Sequence, residues 1–169
     1  EVEIVKKKSN FLRGSLKESL IDKITGAIQP QDTHLIKFHG SYMQTDRDLD
    51  SERKKQKLEP LYSFMIRVRM PGGIITSQQW LDLYSLAHEY GNGTLKLTTR
   101  QTVQIHGVLK RNLKKTIQEI NNTLLSTLAT CGDVNRNVMC SPNPFISTVH
   151  KESLDDARQL SVHLLPRTG

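Results

Sequence analysis

Cysteine is nearly absent: Cys131 and Cys140 are the only two in 169 residues. Two thiols exclude a disulfide-stapled scaffold, and nothing beside either makes a zinc or cluster spacing, so they read as unpaired thiols of a reducing compartment. No apolar run approaches the ~18 residues of a membrane span, and no charged-then-apolar leader opens the chain. A cytoplasmic protein with no membrane partner is therefore expected. Internal repeats and low-complexity tracts are missing, and aromatics are only 5%. Carboxylates are outnumbered: 17 Asp and Glu stand against 24 Lys and Arg, for a net charge of +7 and a pI near 9.5. Such a balance points to an anionic partner without choosing among nucleic acid, membrane surface and polyanionic cofactor. Apolar residues at 36% suffice for one modest core, hence one domain with an extended arm. The chain opens without Met and stops at HLLPRTG, as a piece of a longer polypeptide would.

What is present is strong alternation. LYSFMIRVRM sets Tyr62, Phe64, Ile66, Val68 and Met70 on one strand face, with Arg67 and Arg69 on the other. Pro71-Gly72-Gly73 ends that strand. Thr76 and Gln79 have capping-box spacing ahead of a helical stripe, Trp80, Leu83, Tyr84, Ala87 and Tyr90, with Gly91 as its stop. TLKLTTRQTVQIHG gives two further short strands. Leu95, Leu97, Val103 and Ile105 lie on one face, and Lys96, Thr98, Arg100, Thr102, Gln104 and His106 on the other. Asn112 can cap a second helix carrying Leu113, Ile117, Ile120, Leu124 and Leu128, and a short strand is expected near Asn137 to Cys140. Ser153 can cap a last helix. Upstream, residues 1–33 look uncommitted apart from a short helix through Leu16, Leu20 and Ile24, and are expected to be mobile unless docked. HLIKFHGSY reads as a strand, and the charged run 45–60 as an exposed connector.

Strand, helix, strand, strand, helix, strand over residues 61–140 is the ferredoxin-like βαββαβ arrangement, an α+β fold with both helices on one sheet face. Trp80, Leu83, Ile117, Ile120 and Leu124 are expected in its core. The other face stays open, presenting Arg67, Arg69, Lys96, Arg100 and His106. The plain reading is a solvated face. A cationic cluster with scarcely a carboxylate argues instead for an anion. An RNA-binding module shares this strand order but stacks bases on central-strand aromatics, which here turn to the core. A platform for an acidic cofactor or oxyanion fits best, because Arg forks match carboxylates and Lys, Thr and Gln fill the remaining acceptors.

SNFLRGSL, KFHGSYMQTDRD, ERKKQKLEP, RVRMPGGIIT, LKLTTRQTVQIHG, DVNRNVMCSPNP and HLLPRTG together resemble the N-terminal part of assimilatory sulfite reductase haemoprotein subunits, within the nitrite/sulfite reductase family. Nitrite reductases share the TTRQT-like segment; VNRNVMCSPNP is closer to the sulfite branch. The resemblance implies a parent enzyme in which sirohaem, bearing eight carboxylates, lies on such a sheet beside a 4Fe–4S cluster and sulfite is reduced to sulfide. By resemblance, Lys96, Thr98, Arg100, Gln104 and His106 surround the sirohaem, and Arg67 and Arg136 bind the substrate oxyanion. Lys96 stands where some relatives have arginine. Cys131 and Cys140 match no cluster ligand, so no metal ligands are expected here. No cofactor is expected on this chain alone. Implied partners are sulfite, the remainder of the polypeptide, and a flavoprotein reductase subunit or ferredoxin as electron donor, with no nucleic acid. The expected division is an extension and connector over 1–60, the half domain over 61–145, and a helix over 146–169. The competing readings are a nitrite reductase of the same family and a stand-alone anion- or RNA-binding module of the same fold.

Overall fold

The structure is a computed structural model that describes residues 2–132 and 134–166. In chain order the helices and strands are α1 (Val2–Lys8), α2 (Leu16–Ile21), α3 (Asp32–Leu35), β1 (Ser41–Thr45), α4 (Arg47–Lys55), β2 (Tyr62–Arg67), α5 (Ser77–Tyr90), β3 (Leu95–Leu97), β4 (Val103–Val108), α6 (Lys110–Asn122) and α7 (Thr148–His163). Short 3-10 turns at Ile36–His39 and Pro71–Gly73 precede β1 and α5.

Four strands form one antiparallel sheet in the order β1-β2-β4-β3. β2, α5, β3, β4 and α6 are the first five elements of the ferredoxin-like pattern, and both helices pack on the same apolar face. Phe64, Ile66, Val68, Val103, Ile105 and Val108 of the sheet region meet Leu83, Leu86 and Ala87 of α5 and Leu113 and Ile120 of α6. The capping box at Thr76 and Gln79 forms as expected: Gln79 N–H donates to Thr76 Oγ1 at 3.1 Å, and Thr76 N–H to Gln79 Oε1 at 2.9 Å.

The sixth element differs. No strand forms at 137–140; its edge of the sheet is taken by β1, which pairs with β2 from Ser41↔Ile66 to Thr45↔Tyr62. The backbone of 137–140 finds other partners. Cys140 N–H donates to Gln101 Oε1, Gln101 Nε2 donates to Cys140 O, and Gly72 N–H donates to Val138 O at 2.9 Å. A side chain thus supplies the ladder that a strand would have offered. Upstream, the stretch expected as one strand divides at Gly40, whose φ of 80° separates the 3-10 turn from β1. A side chain at Gly40 would stand 2.0 Å from Thr127 O, so glycine is required there.

The N-terminal third is packed. Asp32 is fully buried and accepts from Ser15 N–H, Ser15 Oγ and Ser19 Oγ at 2.8–3.0 Å. Ile28 and Ile36 join the main core, and Lys110, almost wholly buried at the start of α6, donates to Ala27 O at 3.0 Å. The charged run contains α4, capped by Asp46, which buries no residue. Two expected core residues lie outside the core: Trp80 is 41% and Leu124 92% exposed. Leu124 follows the end of α6 with φ 64°, so the helical stripe no longer governs it. The last two helices start elsewhere than expected. α6 begins after Leu109 rather than at Asn112, and α7 is capped by Ser147 rather than Ser153.

Candidate functional site: the open sheet face

None of the four strands contains an aspartate or glutamate. Across the sheet, Lys96 of β3 opposes Gln104 of β4, which opposes Arg67 of β2, so these three side chains share one row of the open face. His106, two residues beyond Gln104, shares that face. The row is wired. Gln104 Oε1 accepts from Arg67 Nη2 at 2.6 Å and Nε at 2.9 Å, and Gln104 Nε2 donates to His106 Nε2 at 2.9 Å. This assignment of the amide follows from its neighbours, since the reverse would set its NH2 against the guanidinium. His106 Nδ1 lies 3.1 Å from Gln44 Oε1 on β1. Burial, then Lys96, then Arg67 hold the His106 ring below the ordinary histidine value, so the neutral imidazole is favoured.

Arg67 is anchored on a second side. Its Nη1 donates to Thr130 O at 2.8 Å and lies 3.5 Å from Cys131 Sγ. Nε, Nη2 and Nη1 are thus all engaged within the chain, Nη1 with both Thr130 O and Cys131 Sγ. Arg136 approaches the same place from the loop after Cys131, where its Nε donates to Gly132 O at 3.0 Å. Burial pushes the Cys131 thiol up, while Arg67, Thr130, Arg136 and Lys37 pull it back. Arg67 alone of these cations contacts the thiol. Cys131 also lines a cleft of about 930 Å³ with Phe11, Leu12, Lys37 and Phe38. Asn10, Phe11 and Leu12 enter that cleft wall in the left-handed region, at φ 50–61°, held by Ser9. Each costs about 1–2 kcal/mol, and such strain concentrates at functional sites.

Thr98 and Arg100 sit on the β3–β4 turn rather than in a strand. Arg100 is exposed, its N–H donates to Thr98 Oγ1 at 3.2 Å, and its carbonyl accepts from Asn137 Nδ2 at 2.8 Å. Asn137 also accepts from Met70 N–H at 2.7 Å and donates to Met70 O at 2.8 Å. One buried amide therefore ties the loop carrying Arg136 to the turn carrying Arg100. The periodicity did not single out Asn137, Gln101 or Gln44; each works through an individual hydrogen bond, which leaves no pattern. Arg69 leaves the proposed face. It is 6% exposed and spends its guanidinium on Ser161 Oγ, Ser161 O and Leu128 O at 3.0–3.1 Å, joining the loop after α6 to α7.

Residues 56–123 match the nitrite/sulfite reductase ferredoxin-like half domain. Over 168 residues the chain is 63% identical to the sulfite reductase [NADPH] hemoprotein beta-component of Anoxybacillus flavithermus, covering 99% of this chain and 29% of that protein. Over residues 56–123 the chain carries the ferredoxin-like half domain of the nitrite/sulfite reductase family. The beta-component of Bacillus subtilis is 59% identical, again over 99% of this chain and 29% of its own length. This chain therefore spans under a third of the curated relatives it matches. Among solved structures, the Mycobacterium tuberculosis NirA protein superimposes with a TM-score of 0.67 at 27% identity, covering 86% of this chain and 28% of that one. The half domain provides β2, β3, β4, α5 and α6, while β1 and the loop bearing Arg136 lie outside the matched span. No helix among the described residues is long and apolar enough to cross a membrane.

Proposed function

We propose that this chain supplies one cofactor- and substrate-binding face of a sirohaem- and 4Fe–4S-dependent sulfite reductase, which reduces sulfite to sulfide by six electrons. The observation that carries the reading is the wired cationic row on a sheet whose strands hold no carboxylate. The names of the relatives choose sulfite within the family. The donor set suits sirohaem. Lys96 and Arg100 are exposed cations at one end of the face, and Gln104 and His106 add neutral polar groups beside them. When bound, sirohaem supplies the iron at which the electrons reach the substrate.

The protein groups then divide by how they are held. Lys96, Thr98, Arg100, Gln104 and His106 orient the carboxylates of the macrocycle. Arg67 and Arg136, which bond Cys131 and Gly132 beside the cleft, bind the sulfite oxygens. Arg67 arrives with its plane already set by Gln104 and Thr130, so it need not reorganise as charge develops on departing oxygen. Two cysteines cannot furnish the four thiolates of a 4Fe–4S cluster, so those ligands belong to the rest of the longer protein. That remainder also meets the electron donor, a flavoprotein component as the [NADPH] beta-component relatives imply.

An absorbance spectrum of the longer protein that contains this chain tests the reading. Sirohaem bands and sulfide formation with a chemical reductant are expected. A colourless protein that retains RNA would replace this reading with a nucleic-acid module of the same fold. The 169-residue chain alone should form no sulfide.

A further inference from the structure

Gln44 belongs to none of the residue sets above, yet it ends the chain of side chains that begins at Arg67. The links run Arg67 of β2, Gln104 and His106 of β4, and Gln44 of β1, with separations of 2.6–3.1 Å. Each link has a direction. Arg67 can only donate, so Gln104 must show it oxygen and turn NH2 toward His106. That NH2 needs a lone pair on His106 Nε2, so the ring proton must sit on Nδ1, where Gln44 Oε1 accepts it. Were Gln44 to offer its NH2 instead, the proton would move to Nε2 and Gln104 would turn its own NH2 on the guanidinium. Both charges acting on the ring, Lys96 from β3 and Arg67 from β2, are positive.

We propose that Gln44 is a positioning residue: by accepting the His106 Nδ1 proton it fixes the ring tautomer, and through Gln104 it fixes the plane of Arg67. Its meaning for turnover rests on Arg67 being a substrate contact, but the relay is a property of this chain by itself. The proposal also assigns β1 a task beyond closing the sheet. It carries the terminal acceptor of a relay that spans three strands.

Nuclear magnetic resonance of the 169-residue chain tests it without any cofactor. Ring-nitrogen shifts report the His106 tautomer, and solvent exchange of Arg67 Nε–H reports its bond to Gln104. The native chain should show the Nδ1–H tautomer and a slowly exchanging Arg67 Nε–H. Gln44→Leu should mix the tautomers and speed that exchange by ~10-fold or more, the worth of one hydrogen bond. Gln44→Glu keeps the shape but adds a carboxylate. It should raise the His106 titration midpoint; below that midpoint Nε2 becomes a donor and Arg67 is released, while above it the carboxylate still accepts from Nδ1–H and Arg67 stays held. Gln104→Leu should release Arg67 while leaving the His106 proton on Nδ1. If Gln44→Leu fails to fold, Gln44→Glu and the native spectrum still decide. An Nε2–H tautomer in the native chain, or unchanged His106 and Arg67 signals in a folded Gln44 variant, would overturn the relay. Neither readout depends on haem, so failure of the sulfite reading would leave these spectra as they are.

Discussion

At the scale of single residues, the open face depends on groups outside its cationic row. Asn137 is 4% exposed and bonds Met70 on both backbone sides as well as the carbonyl of Arg100. Asn137→Ala leaves Met70 N–H and the Arg100 carbonyl without these partners, while the Met70 carbonyl keeps Gly73 N–H, so a loss of about 2–4 kcal/mol is expected in urea unfolding. A loss below about 0.5 kcal/mol would mean that water replaces the amide without penalty. Histidines set a pH limit. Burial holds His39 and His106 below the ordinary histidine value. The unfolded chain therefore takes up these protons from about pH 6.5 downward, whereas the folded chain does so only at lower pH. Stability present above about pH 6.5 is lost as pH falls through the folded values. Thermal midpoints should drop between about pH 7 and pH 5, and the drop should shrink in His39→Gln. A midpoint that is flat or rises on acidification contradicts this.

At the scale of elements, α5 and the β3–β4 pair were legible because each follows a single period. A capping box opens α5, and period 2 places Lys96, Gln104 and His106 together on one face. Legibility ended where a period was interrupted. Gly40, with its positive φ, resets the phase between Phe38 and Tyr42, so β1 was hidden inside a longer apparent strand. Beyond Val68, whose N–H still donates to Val103 O, the chain leaves β4 and Arg69 bridges Ser126, so alternation misplaced Arg69. The segment 137–140 has strand-like residues, yet its partner is the Gln101 side chain, which no periodicity announces. Arg136 was identified by resemblance alone, because a loop arginine has no pattern of its own. The N-terminal segment was judged by its charge, while Ile28, Ile36 and Lys110 dock it and one carboxylate folds it on itself. Asp32→Ala strands the hydroxyls of Ser15 and Ser19 and one backbone N–H. It should expose residues 14–33 to amide exchange while β2 and β4 stay protected, at a cost of about 2–4 kcal/mol. Uniform loss of protection across the sheet would show that the segment and the half domain unfold as one.

At the scale of the whole molecule, one sheet carries two jobs on its two faces. The apolar face binds α5 and α6, while the polar face holds fixed cations with no carboxylate on the strands to neutralise them. Arg67 bonds Cys131 and Arg136 bonds Gly132 beside it, while Arg100 stands apart on an exposed turn. On the proposed function, that separation assigns Arg136 to substrate binding and Arg100 to cofactor holding. In the longer protein, haem content by absorbance and sulfite turnover should be measured together for Arg136→Ala and Arg100→Ala. Losing a charged donor at the transition state costs ~2–4 kcal/mol, so Arg136→Ala should cut turnover by roughly a hundredfold at normal haem content. Arg100→Ala should instead lower the sirohaem content. Arg136→Ala losing haem while Arg100→Ala loses only turnover would reverse the two roles, and no change in either variant would reduce the open face to a solvated surface.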